Sequence, residues 1–76
     1  MLTKFETNYG TFFLERKYDV DTNETFYDVY DEPLENELYG NFIGEFEPLV
    51  TYDEDMSSED LESFIIELEK FIEEFY

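Results

Sequence analysis

The C-terminal segment places Leu61, Phe64, Ile65, Leu68, Phe71, Ile72 and Phe75 at the i, i+3, i+4, i+7 spacing of a single helix face. The pattern predicts one amphipathic helix over residues 58–75, and an apolar stripe of this width needs a surface to cover it. Its start is marked by "MSSEDLE", in which Ser57 and Asp60 have capping-box spacing and Ser58 is the other candidate cap. Glu59, Asp60 and Glu62 suit the positive end of the helix dipole. The stripe is read as the core-facing side of the helix, with a partner's groove as the other occupant.

Before residue 57 the helical period gives way to short runs rich in Phe, Tyr, Thr and Val, broken by turn signals, as in antiparallel strands. "KFETNYGTFFLERKY" reads as a hairpin about Asn8-Tyr9-Gly10, with Gly10 free to take a positive φ. A second turn lies in "DVDTNE". The strand "TFYDVYD" follows, then the connection "EPLENELYG", the strand "NFIGEFE" and a short edge segment "LVTYD" after Pro48. The expected fold is α+β: a small antiparallel sheet of three to four strands, over about residues 2–52, with the helix packed across one face. Residues 1–76 read as a single acidic domain, because no Pro/Gly/Ser-rich linker divides them.

Charge decides the rest. Asp and Glu number 22 against four Lys and Arg, a formal net charge of -18 with no histidine. Such a balance suggests disorder only when apolar residues are scarce, and here nine Phe, seven Tyr and 42% hydrophobic residues predict a folded chain. Cysteine is absent, so no disulfide or thiolate metal site contributes, and a reducing compartment is allowed. The N-terminal "MLTKFETNYG" lacks a basic region followed by an apolar run, and no apolar run exceeds three residues, so a soluble, cytoplasmic protein is expected.

Little chemistry is open to this composition. Without His or Cys there is no nucleophile–base pair, and Gly10, Gly40 and Gly44 form neither type of phosphate-binding loop. No catalytic residue, cofactor site or metal site is expected. The stretch from Asp19 supplies Asp19, Asp21, Asn23 and Thr25 at EF-hand-like positions, but Glu24 replaces the glycine and Tyr30 the bidentate glutamate, so a polar hairpin turn is the reading.

The charge itself is therefore the candidate function. From Ser58 to Tyr76 a helix would run roughly 28 Å and carry Glu59, Asp60, Glu62, Glu67, Glu69, Glu73 and Glu74, one carboxylate per about 4 Å. A DNA strand offers one phosphate per roughly 3.4 Å. Glu62, Glu69 and Glu73 flank the stripe on one side, Glu67 and Glu74 on the other. Glu73 and Glu74 oppose the helix dipole, which leaves them and Glu69 with the least structural justification. The same sign fills the connections: Asp28, Asp31, Glu32, Glu35 and Glu37, then Asp53, Glu54 and Asp55 before the helix. An ordinary solvated surface mixes signs, whereas a large single-sign field steers an oppositely charged partner.

In small size, extreme acidity and lack of Cys and His, with "YDEDMSSEDLESF" and "ELEKFIEEFY" as its carriers, the chain resembles the DNA-mimic inhibitors of bacteriophages and mobile elements. That class includes anti-CRISPR proteins, anti-restriction proteins and uracil-DNA glycosylase inhibitors. The resemblance implies a basic nucleic-acid-binding partner, such as a CRISPR–Cas effector or another DNA-processing enzyme, whose nucleic-acid site is blocked. The alternatives are a small acidic interaction module or regulatory subunit without mimicry, adaptation to high salt, and a carboxylate-based catalyst. Tyr27, Tyr30, Tyr39, Tyr52 and Tyr76 exceed what one helix on a short sheet covers, so some are expected at the rim, in a homodimer contact or as anchors in the interface.

Overall fold

The computed structural model describes residues 2–75. Four strands, β1 (Leu2–Thr7), β2 (Gly10–Asp19), β3 (Glu24–Asp31) and β4 (Phe42–Phe46), precede one helix, α1 (Ser58–Glu73). The strands pair antiparallel in the order β1-β2-β3-β4, a meander in which every neighbour in space is a neighbour in sequence.

Turn chemistry sets the registers. Thr7 faces Gly10 across Asn8-Tyr9, and Gly10 takes φ 114°, a conformation in which any Cβ would be strained. At the second turn Asn23, at φ 63°, donates its N–H to the Asp19 carbonyl (2.8 Å), while Asp19 Oδ1 accepts from Asp21 N–H (2.9 Å). The stretch with EF-hand-like spacing is this hairpin loop. The base of the β3–β4 connection is closed by Asp31 and Asn41: Asp31 N–H donates to the Asn41 carbonyl (3.0 Å), and Asn41 N–H returns to Asp31 Oδ1 (2.6 Å).

Alternation then sorts the side chains. Phe5, Phe12, Leu14, Tyr27, Val29 and Phe46 point to the inner face and are buried there with Phe64, Leu68 and Ile72 of α1. Between the pairs Val29–Gly44 and Tyr30–Phe42 the register slips by one, a bulge that brings half-buried Ile43 to the core beside Gly44. Gly44 is needed for close approach: a Cβ there would lie 2.8 Å from Phe75 Cζ and 3.2 Å from Phe71 Cζ. Phe64 is the hub of the core, its ring centroid 5.2 Å from Phe5, 5.7 Å from Tyr27, 5.6 Å from Phe46 and 5.8 Å from Tyr52. The helix begins as expected, with Ser57 as N-cap accepting from Asp60 N–H at 3.1 Å.

Several sequence expectations need correction. Residues 49–53 are not an edge strand: after Pro48 the chain is irregular, so the strands end at Phe46 and the helix at Glu73. Only the central line of the apolar stripe is fully buried; Leu61 and Phe75 are exposed at the flanks. Tyr27 does not sit at the rim but in the core, its hydroxyl accepting from Tyr52 N–H at 2.9 Å, and Tyr52 is half-buried against Phe5. Tyr30 is half-buried and Tyr39 exposed on the other side of the sheet, while Tyr76 lies outside the described residues. No helix among the described residues is long and apolar enough to cross a membrane.

Candidate protein-binding surface

One flank of α1 runs beside the β1–β2 hairpin and the other beside the connection from β4. Along the first, Leu61, Ile65 and Ile66 form a shallow apolar groove with Thr7 and Asn8, edged by Glu6, Glu62 and Glu69. Glu69 Oε2 accepts the Asn8 backbone N–H at 2.7 Å, and Glu73 accepts the Tyr9 hydroxyl. That bond, with the Glu73 and Glu69 charges nearby, raises the Tyr9 phenol above its ordinary value. On the second flank the Glu67 carboxylate accepts the Leu49 N–H at 3.2 Å.

These contacts correct the sequence reading of the helix terminus. Glu69 and Glu73 are not without structural justification, because they fasten the hairpin turn to the helix. The cost of acidic residues near the C-terminal end of the dipole is offset by hydrogen bonds to partners more than sixty positions away in sequence. Glu74, the C-cap, has no such bond through its carboxylate among the described residues.

The remaining predicted residues divide in the same way. Asp31 closes the β3–β4 connection, its Oδ2 also accepting Asn41 Nδ2–H at 3.2 Å, and Asp53 Oδ1 accepts Asp55 N–H at 2.9 Å. Asp28 lies on the open face of the sheet, 3.9 Å from the Lys17 ammonium. The carboxylates of Glu32, Glu35, Glu37, Glu54, Asp55, Glu59 and Glu62 accept no hydrogen bond and enter no ion pair among the described residues. The structure therefore brings Glu62, Glu69 and Glu73 into one ridge along the hairpin side of α1, and sets Glu67 on the opposite flank. Glu32 and Glu37 line a separate depression with Asp31 and Gly40. Asp53, Glu54 and Asp55 edge a third one, where Arg16 and Tyr52 also lie.

No family model, curated protein or solved structure matches this chain. Its surface must be read from its own residues.

Sequence reasoning passed over the sheet face that α1 leaves uncovered. There Lys17 Nζ lies 3.3 Å from Glu15 and 3.9 Å from Asp28, and the Glu15 contact holds the ammonium above its ordinary value. Tyr39 donates its hydroxyl to Glu15 Oε2 at 3.4 Å, and the Tyr30 ring lies 5.0 Å from Tyr39 and 5.6 Å from Phe42. The signal was present in "TFFLERK": adjacent Phe12 and Phe13 put an aromatic ring on each face of β2, where a wet face would carry polar residues.

Proposed function

We propose that this protein is an acidic nucleic-acid-mimic inhibitor. It binds a basic nucleic-acid-binding protein of host defence in the host cytoplasm, with a CRISPR–Cas effector as the first candidate, and blocks that protein's DNA or RNA site. The observation that carries this reading is the ridge of Glu62, Glu69 and Glu73, two of whose three carboxylates are held to the hairpin by hydrogen bonds. Charges fixed in line on a folded scaffold do not have to be ordered on binding, and a basic groove spaced for phosphates gains most from a preorganised row of anions. The ridge residues are seven and four positions apart, about 10 Å and 6 Å of rise along the axis.

The test separates charge from scaffold. Glu62 is the ridge carboxylate with no structural bond among the described residues, so Glu62→Gln removes a ridge charge and leaves the hairpin contacts of Glu69 and Glu73 in place, while Glu74→Gln removes the same charge from the opposite flank. Capture from a host lysate identifies the partner, and nucleic-acid binding by that partner is then measured with each protein added. Glu62→Gln should associate more slowly, show a shallower salt dependence and inhibit less than Glu74→Gln, and equal effects of the two would show that the ridge is not the contact. A partner that is bound without any loss of its nucleic-acid binding refutes the mimic and favours an acidic regulatory subunit.

A further inference from the structure

One helix covers one face of the sheet, so the opposite face must be explained by its own side chains. In β2 and β3 that face carries Phe13 opposite Tyr30 and Glu15 opposite Asp28, and Tyr30 in turn faces Phe42 of β4. Phe42 is 56% exposed and Tyr39, which joins the cluster from the β3–β4 connection, is 42% exposed. A wet sheet face gains little from such rings, and contiguous exposed aromatic surface marks an interaction site.

The face also shows which chemistry it takes. It already holds a cation: the Lys17 ammonium sits between the carboxylates of Glu15 and Asp28 in the row next to Tyr30. Carboxylates beside aromatic rings suit a planar guanidinium better than an ammonium, because the guanidinium stacks on a ring while its N–H fork meets the carboxylate. A second copy of this chain is the poorer occupant, since it would bring another -18 charge against the first.

We propose that the open sheet face docks an arginine-bearing segment of a protein partner, the guanidinium displacing Lys17 from between Glu15 and Asp28 and stacking on the Tyr30–Phe42 cluster. The inference rests on the reading above in taking the partner to be basic, but it assigns the anchoring contact to the sheet, on the side away from the helical ridge. In this arrangement the ridge meets the partner's basic groove, and a separate arginine-bearing segment reaches the aromatic face and anchors there.

The experiment uses the full chain and two probes, a short Arg–Gly repeat peptide and its Lys–Gly counterpart, with binding followed by amide chemical shifts and titration calorimetry. The Arg peptide should shift Glu15, Asp28, Tyr30 and Phe42 and bind tighter than the Lys peptide by up to about five-fold, the ceiling being the whole of one exposed cation–π contact. Lys17→Met should tighten Arg-peptide binding more than Lys70→Met, which removes the same charge from the helix. Phe42→Ala, at an exposed ring, should abolish the Arg preference while the far-UV spectrum stays unchanged. Equal affinity for the two peptides, shifts confined to α1, or equal effects of the two lysine variants would each overturn the proposal. So would concentration-dependent dimerisation through this face, read by sedimentation. Because these arms need no host protein, the peptide result stands apart from the lysate test: loss of Arg preference with inhibition intact refutes only the docking site, and the converse refutes only the mimic.

Discussion

Replacing Phe64 by alanine should remove the central support of the core. The ring is fully buried and lies within 5.2–5.8 Å of four other aromatic rings, drawn from β1, β3, β4 and the segment before α1. Deleting a buried Phe costs about 3–5 kcal/mol through lost transfer energy and the cavity left behind. A domain of 76 residues has about 4–11 kcal/mol in total, so the variant should lose from roughly a third to all of its stability. Urea unfolding followed by far-UV circular dichroism measures this, and with a slope of roughly 1–3 kcal/mol/M the midpoint should fall by more than about 1 M. Ile66→Ala provides the control, since Ile66 is 46% exposed on the same helix and its truncation should cost about 1 kcal/mol or less. Equal losses for the two variants, or a loss below about 1 kcal/mol for Phe64→Ala, would show that α1 does not pack through this face.

Alkaline pH should destabilise the fold. Tyr9 is raised by its bond to Glu73, Tyr30 by desolvation and the charges of Asp28 and Glu15, and Lys17 by Glu15. Each of the three groups binds its proton more tightly folded than unfolded, so its contribution is complete below the ordinary values of 10.0 and 10.5 and is lost as pH rises through the folded values. Melting temperature against pH, read together with tyrosinate absorbance, should show the fall and the ionisation in the same window; a flat profile to beyond pH 11 or so would contradict the raised values. Added salt should act in the opposite direction. Raising NaCl from about 0.01 M to 0.15 M shortens the reach of repulsion from about 30 Å to 8 Å, so the melting temperature should rise, and an unchanged value would mean that the acidic surface does not repel itself.

The helix was legible because its apolar period is long and its cap is local: Ser57 acts on Asp60, three residues away. The hairpins were legible through Gly10 and the Asp19–Asn23 turn, where the required conformations belong to particular residue types. Tyr27 was misplaced because "TFYDVYD" has aromatic residues at both parities, and a one-residue slip exchanges the two faces; only pairing with Arg16 and Phe46 fixes which face Tyr27 takes. Residues 49–53 have strand-like composition, yet the inner face is completed by the Tyr52 side chain and an N–H given to Tyr27, a use of irregular backbone that propensity does not encode. The acidic residues were legible as a population and illegible one by one. What distinguishes Glu69 from Glu62 is a backbone N–H on a hairpin far away in sequence.

The order of elements along the chain carries a consequence for how the protein is made. Each strand pairs with the one just synthesised, so the meander closes only short loops and its contacts form quickly. Yet the residues that cap its inner face, Phe64, Leu68 and Ile72, follow every strand. During vectorial synthesis Phe5, Phe12, Leu14 and Tyr27 emerge long before their cover, leaving a greasy half-core exposed to solvent and to other nascent chains. The dense negative charge of the same segments, including Glu15, Asp19, Glu24 and Asp28, keeps such half-made copies apart until the helix arrives.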